Sequence, residues 1–380
     1  MRIGIDARFY GSVGKGLGRY VQKLIENLEK IDKENQYFIF LRQENFEEFK
    51  PQNKNFTKVL ADYRWYTFSE QINMPRILYR YKLDLVHFPH FNVPIFYRKK
   101  FIITIHDLIL LHFPTLRATG LNPFFYGCKY LAYKLVIGGA IRRSEKVITV
   151  SNFSKEDILK NYSFLKKEKV AVTYEACDSL SEKGEEIQRE AEISKKYAII
   201  KPYLLYVGNA YPHKNLEGLL EAWKIFAEKE TEEKESKTHL VLVGKEDYFY
   251  RRLKEKIEAE KITRVVLAGF VKDADLTYIY RQASVYVFPS LYEGFGLPPL
   301  EAMSLGVPVI SNSHGCMREV LGAAAYYFDG KNKDSIREAI EKLLRDSDLR
   351  ETLVSRGYKK VKEYSWLKMV GQTLEIYKQV

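Results

Sequence analysis

Arg2-Ile3-Gly4-Ile5-Asp6, then Gly11-Ser12-Val13-Gly14-Lys15-Gly16-Leu17-Gly18, then Tyr20, Val21, Leu24, Ile25 and Leu28 make up the stretch that decides the fold. A short apolar run broken by an acid reads as a strand. The later apolar residues recur at helical spacing, and a glycine-rich loop joins the two. Strand, loop and helix in that order form the opening unit of a parallel sheet covered by helices. Further strands are expected at 37–41, 85–88, 101–105 and 146–150, with Asn152 capping the helix that follows. The segment 181–196 holds five glutamates and four lysines or arginines among sixteen residues, and the domain junction is placed there. The alternation then restarts, with strands expected at 203–207, 240–243, 265–268, 285–288 and 307–311. Leu216, Leu219, Leu220, Trp223 and Phe226 form a helical stripe between the first two of these. The charged run 228–237 reads as the wet end of that helix and its loop. Two successive α/β halves result, and ligands of open parallel sheets bind beyond the carboxyl ends of the strands. Two such sheets facing each other would make a deep interdomain cleft.

The chain has 380 residues, 46% of them hydrophobic and 29% charged, enough for two cores of ordinary size. No stretch approaches the roughly 18 uncharged apolar residues of a spanning helix. The start reads as a strand and not as a signal peptide, so a cytoplasmic location is expected. Cys128, Cys177 and Cys316 lie far apart and are expected to be packing residues, with neither a disulfide framework nor a zinc site. Lysine and arginine exceed acids by 61 to 49, a net charge of +12 that suits an anionic neighbour: nucleic acid, an anionic membrane face or a phosphorylated small molecule.

The glycine-rich loop places bare amides at a helix start, where an anion is favoured. It matches neither a P-loop nor a dinucleotide fingerprint, which sets aside a P-loop ATPase and a plain dehydrogenase. In the second half, Asn209-Ala210-Tyr211-Pro212-His213-Lys214-Asn215 follows the strand 203–207, with Asn215 expected to cap the next helix. A lysine at the positive end of a helix is badly placed for stability and well placed for a diphosphate. After the strand 285–288 comes Glu293-Gly294-Phe295-Gly296-Leu297-Pro298-Pro299-Leu300-Glu301. Its glycines and prolines forbid one continuous helix, so Glu293 belongs on a loop and Glu301 in the first turns of a helix opened by proline. Even in an unbroken helix eight residues span about 12 Å, beyond the roughly 5 to 5.5 Å of a retaining glycosidase pair.

In this order the glycine-rich loop, Thr104-Ile105-His106-Asp107, Val150-Ser151-Asn152-Phe153-Ser154, the Glu-x7-Glu element and Tyr364-Ser365-Trp366 resemble the GT4 family of retaining glycosyltransferases, with the GT-B fold. The likeness is nearest to bacterial mannosyltransferases of surface polysaccharide synthesis. It implies residues 1–180 as an acceptor-side Rossmann-like domain, 181–363 as the nucleotide-sugar domain, and 364–380 as a helix crossing back to the first. It implies that Lys214 binds donor phosphate, that Glu301 holds the ribose, and that Glu293 with the backbone of Phe295, Gly296 and Leu297 faces the donor sugar and β-phosphate. Phe270 and Val271 match the place of the base, His106 a residue near donor sugar and acceptor, and the amides of Gly14 and Gly16 close on the diphosphate. Many relatives have an arginine where this chain has His213 or Asn209. Charge neutralisation then rests more on Lys214, and His213 helps only when protonated.

The expected reaction moves a hexose, mannose by first choice, from GDP-mannose to a saccharide or lipid-linked acceptor. No cofactor or metal is expected, since no Asp-x-Asp or His/Asp cluster appears. Tyr130, Tyr133, Lys134, Arg142 and Arg143 form a basic, aromatic helical region suited to a lipid-linked acceptor and to peripheral association with an anionic membrane. The competing readings are a sugar-nucleotide epimerase or phosphorylase on the same fold, and a non-catalytic basic binding protein. A nucleic-acid partner is not expected, because neither clustered basic arms nor a helix-turn-helix or RRM pattern is present.

Overall fold

The glycine-rich opening folds as a strand, a 3-10 turn over Gly11–Gly14 and a helix over Lys15–Ile31. The structure is a computed structural model that describes residues 1–114, 123–178, 187–232 and 237–380. Gly14 stands as the helix cap without a side-chain hydrogen bond, and Gly16 is exposed. A Cβ on Gly14 would lie 2.2 Å from the Phe9 carbonyl oxygen, so the loop closes this tightly only with glycine there. The helix buries Tyr20, Val21, Leu24, Ile25 and Leu28 completely, the stripe its spacing predicts.

The described residues fall into two compact units. Unit 1 comprises 1–108, 123–175 and 365–380. Its strands are β1 (Arg2–Asp6), β2 (Gln36–Leu41), β3 (Phe56–Leu60), β4 (Leu85–Phe88), β5 (Phe101–Ile105), β6 (Val147–Thr149) and β7 (Val170–Val172), ordered β3-β2-β1-β4-β5-β6-β7. Every neighbouring pair is parallel. The last helix, Trp366–Lys378, packs on the helix Lys15–Ile31, and its Tyr377 hydroxyl lies 2.7 Å from His87 Nδ1 in the middle of the sheet. Burial pushes His87 down to about 3, so at neutral pH it is a neutral core residue.

Unit 2 comprises 109–114 and the described part of 176–364. Its strands are β8 (Tyr203–Val207), β9 (His239–Val243), β10 (Val265–Gly269), β11 (Val285–Phe288), β12 (Val309–Asn312) and β13 (Ala325–Phe328), ordered β10-β9-β8-β11-β12-β13 and again all parallel. Leu216, Leu219, Leu220, Trp223 and Phe226 are buried on the helix Leu216–Glu232. In both sheets the order reverses beside the first strand, between β1 and β4 and between β8 and β11. At such a point consecutive loops diverge and leave a crevice.

Sequence and structure differ in several places. Strands β3, β7 and β13 are not anticipated by the sequence reading, and all three are edge strands. The helix Asn152–Asn161 is capped by Ser151, whose side chain accepts from Ser154 N, and Asn152 is its first residue. Ser151 has the extended backbone that a cap requires, φ −155° and ψ 160°, whereas Asn152 already lies inside the helix. Cys128 is exposed and Cys177 half-buried, so only Cys316 is a core residue. The expected domain junction begins at Ser181, and 181–186 lie outside the described residues, as do 233–236 of the charged run.

Candidate active site

The loops leaving β8 and β11 meet at the strand-order reversal of unit 2. Lys214 ends a 3-10 turn, Pro212–Lys214, and Asn215 after it takes φ 57°, a left-handed conformation that asparagine tolerates. Asn215 Nδ2 donates to the carbonyls of Pro289 (3.3 Å) and Gly330 (2.6 Å). The His213 carbonyl accepts from Leu291 N (2.7 Å) and Ser290 Oγ (3.2 Å). These bonds join the two loops through their backbones and so fix the side chains they carry. Lys214 Nζ lies 2.5 Å from Glu293 Oε1, and the two side chains are only 15% and 10% exposed.

Burial alone would raise the Glu293 carboxyl, but Lys214, by charge and hydrogen bond, and His213 hold it below the usual glutamate range. Glu293 is therefore ionised at neutral pH. Its pairing contributes stability above the ordinary glutamate pKa, and the contribution is lost as pH falls through the depressed value. His213 is buried, and burial together with the Lys214 charge pushes it down to about 4. It is neutral at physiological pH and adds no charge there.

Glu293 lies on the loop after β11, and Glu301 on the helix Leu297–Ser304, the places expected from the prolines. Pro298 and Pro299 occupy the first turn, where a missing N–H removes no helical bond. Gly296 caps the helix at φ 93°, and a Cβ there would lie 2.6 Å from Met317 Cε. Gly296→Ala is therefore expected to destabilise the protein by more than about 1 kcal/mol, measured by urea unfolding; unchanged stability would mean that the loop relaxes freely. The Phe295 ring is buried against Tyr364 at 5.3 Å, so what this residue can offer a ligand is its backbone. Glu301 is half-buried and accepts from Tyr280 OH at 3.2 Å. Just past β10, Phe270 is 69% exposed and Val271 buried.

In unit 1, His106 follows β5. Its Nδ1 lies 3.0 Å from Glu175 Oε1 and its Nε2 lies 3.2 Å from the Pro89 carbonyl oxygen. Carboxylate and carbonyl both accept, so both ring nitrogens carry protons in this arrangement. Burial opposes the charge, but the hydrogen bond and charge of Glu175 outweigh it and hold His106 above its ordinary value. A raised histidine contributes stability that is complete below about pH 6.5 and lost as pH rises through the raised value. Glu175→Gln is thus expected to cost more stability at pH 6 than at pH 9 in urea unfolding; an equal cost at both would refute the charged pair.

The sequence matches the model for glycosyl transferases group 1 over residues 185–360, and that for glycosyltransferase family 4 over residues 14–179. It is 30% identical to O-antigen chain mannosyltransferase B of Escherichia coli, over 96% of each chain. The chain belongs to the family 4 glycosyltransferases. It is also 28% identical to the O-antigen chain mannosyltransferase RfbU of Salmonella typhimurium, over 65% of this chain and 66% of that one. Among solved structures it resembles Anabaena HepE in complex with UDP and glucose, at 15% identity and a TM-score of 0.72, covering 100% of this chain and 99% of that one. That likeness carries the fold alone, the GT-B architecture of two parallel α/β sheets.

For this glycosyltransferase the structure brings Lys214 and Glu293 into contact. It places the start of the helix Leu297–Ser304 on the loop that carries Glu293. Sequence reading missed Glu175, which sits just beyond β7, an unrecognised strand. It also missed Tyr280, the partner of Glu301; both are single residues without a motif. Among the described residues no three His, Cys, Asp or Glu side chains gather as metal ligands.

Proposed function

We propose that the protein is a retaining mannosyltransferase that moves mannose from GDP-mannose to a saccharide or lipid-linked acceptor in cell-surface polysaccharide synthesis. The observation that carries the sugar is the full-length likeness to an O-antigen mannosyltransferase. The chemistry rests on the buried Lys214–Glu293 pair.

Cleaving the anomeric bond leaves negative charge on the diphosphate and positive charge on the sugar ring. A lysine and an ionised carboxylate already fixed side by side match that separation of charge without reorganisation. Lys214 and the amides opening the helix Leu297–Ser304 receive the diphosphate. Glu293 faces the sugar, and Glu301 holds the ribose. Retention, which the family likeness implies, requires attack from the front face when no covalent intermediate forms. The acceptor oxygen bonds the anomeric carbon as the carbon–phosphate oxygen bond breaks, and the acceptor proton passes to the departing diphosphate.

Peripheral association with an anionic membrane draws support from exposed Phe96, Leu131 and Leu135 near exposed Arg98, Lys99, Lys100 and Lys134. No helix among the described residues is long and apolar enough to cross a membrane.

A thermal-shift panel of UDP-, GDP-, dTDP- and ADP-sugars tests the donor, since a ligand at a hundred times its dissociation constant adds about 2.7 kcal/mol. GDP-mannose is expected to give the largest shift, and a larger shift with another nucleotide sugar would replace it. Product analysis tests the reaction: a mannoside of retained configuration is expected, whereas an altered sugar without acceptor would indicate an epimerase. Because lysine and helix amides supply the charge, full turnover is expected in excess chelator. Loss restored by magnesium or manganese would overturn that reading.

A further inference from the structure

Three histidines lie near the carboxyl ends of β4 and β5: His87 within β4, His90 in the loop leaving it, and His106 just after β5. Burial pushes His87 and His90 each down to about 3, so both are neutral. What sets His106 apart is the Glu175 carboxylate, which reverses the direction. Stability is a poor account of that partner, since apolar residues of similar volume in place of a buried ion pair are often neutral or stabilising. A titratable group shifted by a specific neighbour in a cleft is a mark of function.

The place of the pair points the same way. Ligands of open parallel sheets bind beyond the carboxyl ends of the strands, at the reversal of strand order, which in this unit falls between β1 and β4. His106 reaches that point, because its Nε2 lies 3.2 Å from the carbonyl oxygen of Pro89, the first residue after β4. Its side chain keeps 19% of its surface open, whereas that of Glu175 keeps 9%. The rest of the residue is held. Glu175 Oε1 accepts from Nδ1 at 3.0 Å, the Tyr20 ring stands edge-on at 4.6 Å and 88°, and the His106 carbonyl accepts from Ser154 Oγ at 3.2 Å. Of the two ring bonds, the one to Pro89 is the longer and joins an uncharged acceptor, so it is the weaker. It is the bond that a substrate oxygen can replace.

With both nitrogens protonated, the ring has no lone pair left to take a proton. We propose that Glu175 is a positioning residue for the transfer reaction. It turns the ring so that Nε2 presents its proton to a substrate oxygen, which makes His106 a hydrogen-bond donor and not the base that deprotonates the acceptor. This rests on the glycosyl-transfer reading and agrees with a departing diphosphate that takes the acceptor proton itself.

The titratable groups around the ring are Tyr20 from the helix Lys15–Ile31, His87 and His90 from β4 and its loop, Glu175 from beyond β7, and the adjacent Asp107. His87 and His90 are held at about 3 and burial pushes Tyr20 up, so none of these three changes charge between about pH 6 and pH 9. Both carboxylates favour the charged ring. A histidine raised in this way is charged below the raised value and loses its charge as pH rises through it. Turnover that needs the donor falls on that side, whereas turnover that needs a base rises there.

The pH dependence of kcat/KM, which reports the free enzyme, is measured for wild type, Glu175→Gln, Glu175→Asp, His106→Gln and His106→Ala. The readout is nucleoside diphosphate released from the nucleotide sugar that gives the largest thermal shift. Wild type is expected to lose activity through a midpoint above about 6.5. Glu175→Gln moves the midpoint below that value and lowers kcat at pH 7 about ten- to hundredfold, the worth of one charged hydrogen bond. Glu175→Asp keeps the midpoint above it, and His106→Gln, a neutral donor, loses the alkaline limb and stays more active than His106→Ala. Nitrogen-15 NMR of histidine-labelled protein at pH 7 is expected to show both His106 nitrogens protonated in wild type and only one in Glu175→Gln. A neutral wild-type ring, turnover that rises with pH through the His106 titration, or the same alkaline limb in wild type and Glu175→Gln overturns the proposal. Failure of the functional reading shows separately, as absence of a thermal shift with every nucleotide sugar, and the NMR comparison does not depend on it.

Discussion

Replacing Lys214 by alanine lowers turnover at saturating donor by a factor of about 10²–10³, the usual loss when a donor aimed at developing charge is removed. The structure sharpens this expectation. Lys214 Nζ sits 2.5 Å from an ionised, buried Glu293, so the variant also leaves that carboxylate without its partner. Removing one member of such a pair costs about 3–5 kcal/mol, and the kinetic effect has to be read on folded protein. Lys214→Ala/Glu293→Gln restores neutrality and is expected to recover stability but not turnover. Steady-state kinetics beside circular dichroism melts measure both. Wild-type turnover in Lys214→Ala would remove Lys214 from the reaction, and recovered turnover in the double variant would assign the single-variant defect to stability.

Arg8→Met carries the largest expected loss of stability. The guanidinium is fully buried and holds Asp6 and Glu70 together, so its removal leaves two facing carboxylates in the core of unit 1. Breaking a buried pair costs about 3–5 kcal/mol, and the remaining acids repel each other as well. Arg8→Met/Asp6→Asn/Glu70→Gln removes every charge of the cluster and is expected to recover most of that loss. Urea unfolding is the measurement, with the unit 1 transition read separately, because two units need not unfold together. A loss under about 1 kcal/mol in the single variant would show that water reaches the cluster.

The parts legible in the sequence share a physical cause. Central strands of a parallel sheet are buried on both faces and read as continuous apolar runs. β4, β5, β8 and β11 accordingly fall where those runs predict. Edge strands bury less: β3, Phe-Thr-Lys-Val-Leu, exposes Thr57 and Leu60, and β7 has only three residues. Neither stands out from loop sequence. The cap of the helix after β6 went to the wrong neighbour because serine and asparagine both suit that position, and only backbone placement distinguishes them.

By itself the sequence determined the two parallel α/β sheets, the loop position of Glu293 and the helical position of Glu301. Each follows from local periodicity or from the backbone limits of glycine and proline. Only the tertiary structure decided which charges meet. Lys214 finds Glu293, His106 finds Glu175, and Arg8 finds Glu70, pairs separated by 79, 69 and 62 residues. Such pairs leave no periodic trace in the chain. Their partners are chosen by the order of strands in the sheet, which brings distant loops to the same edge.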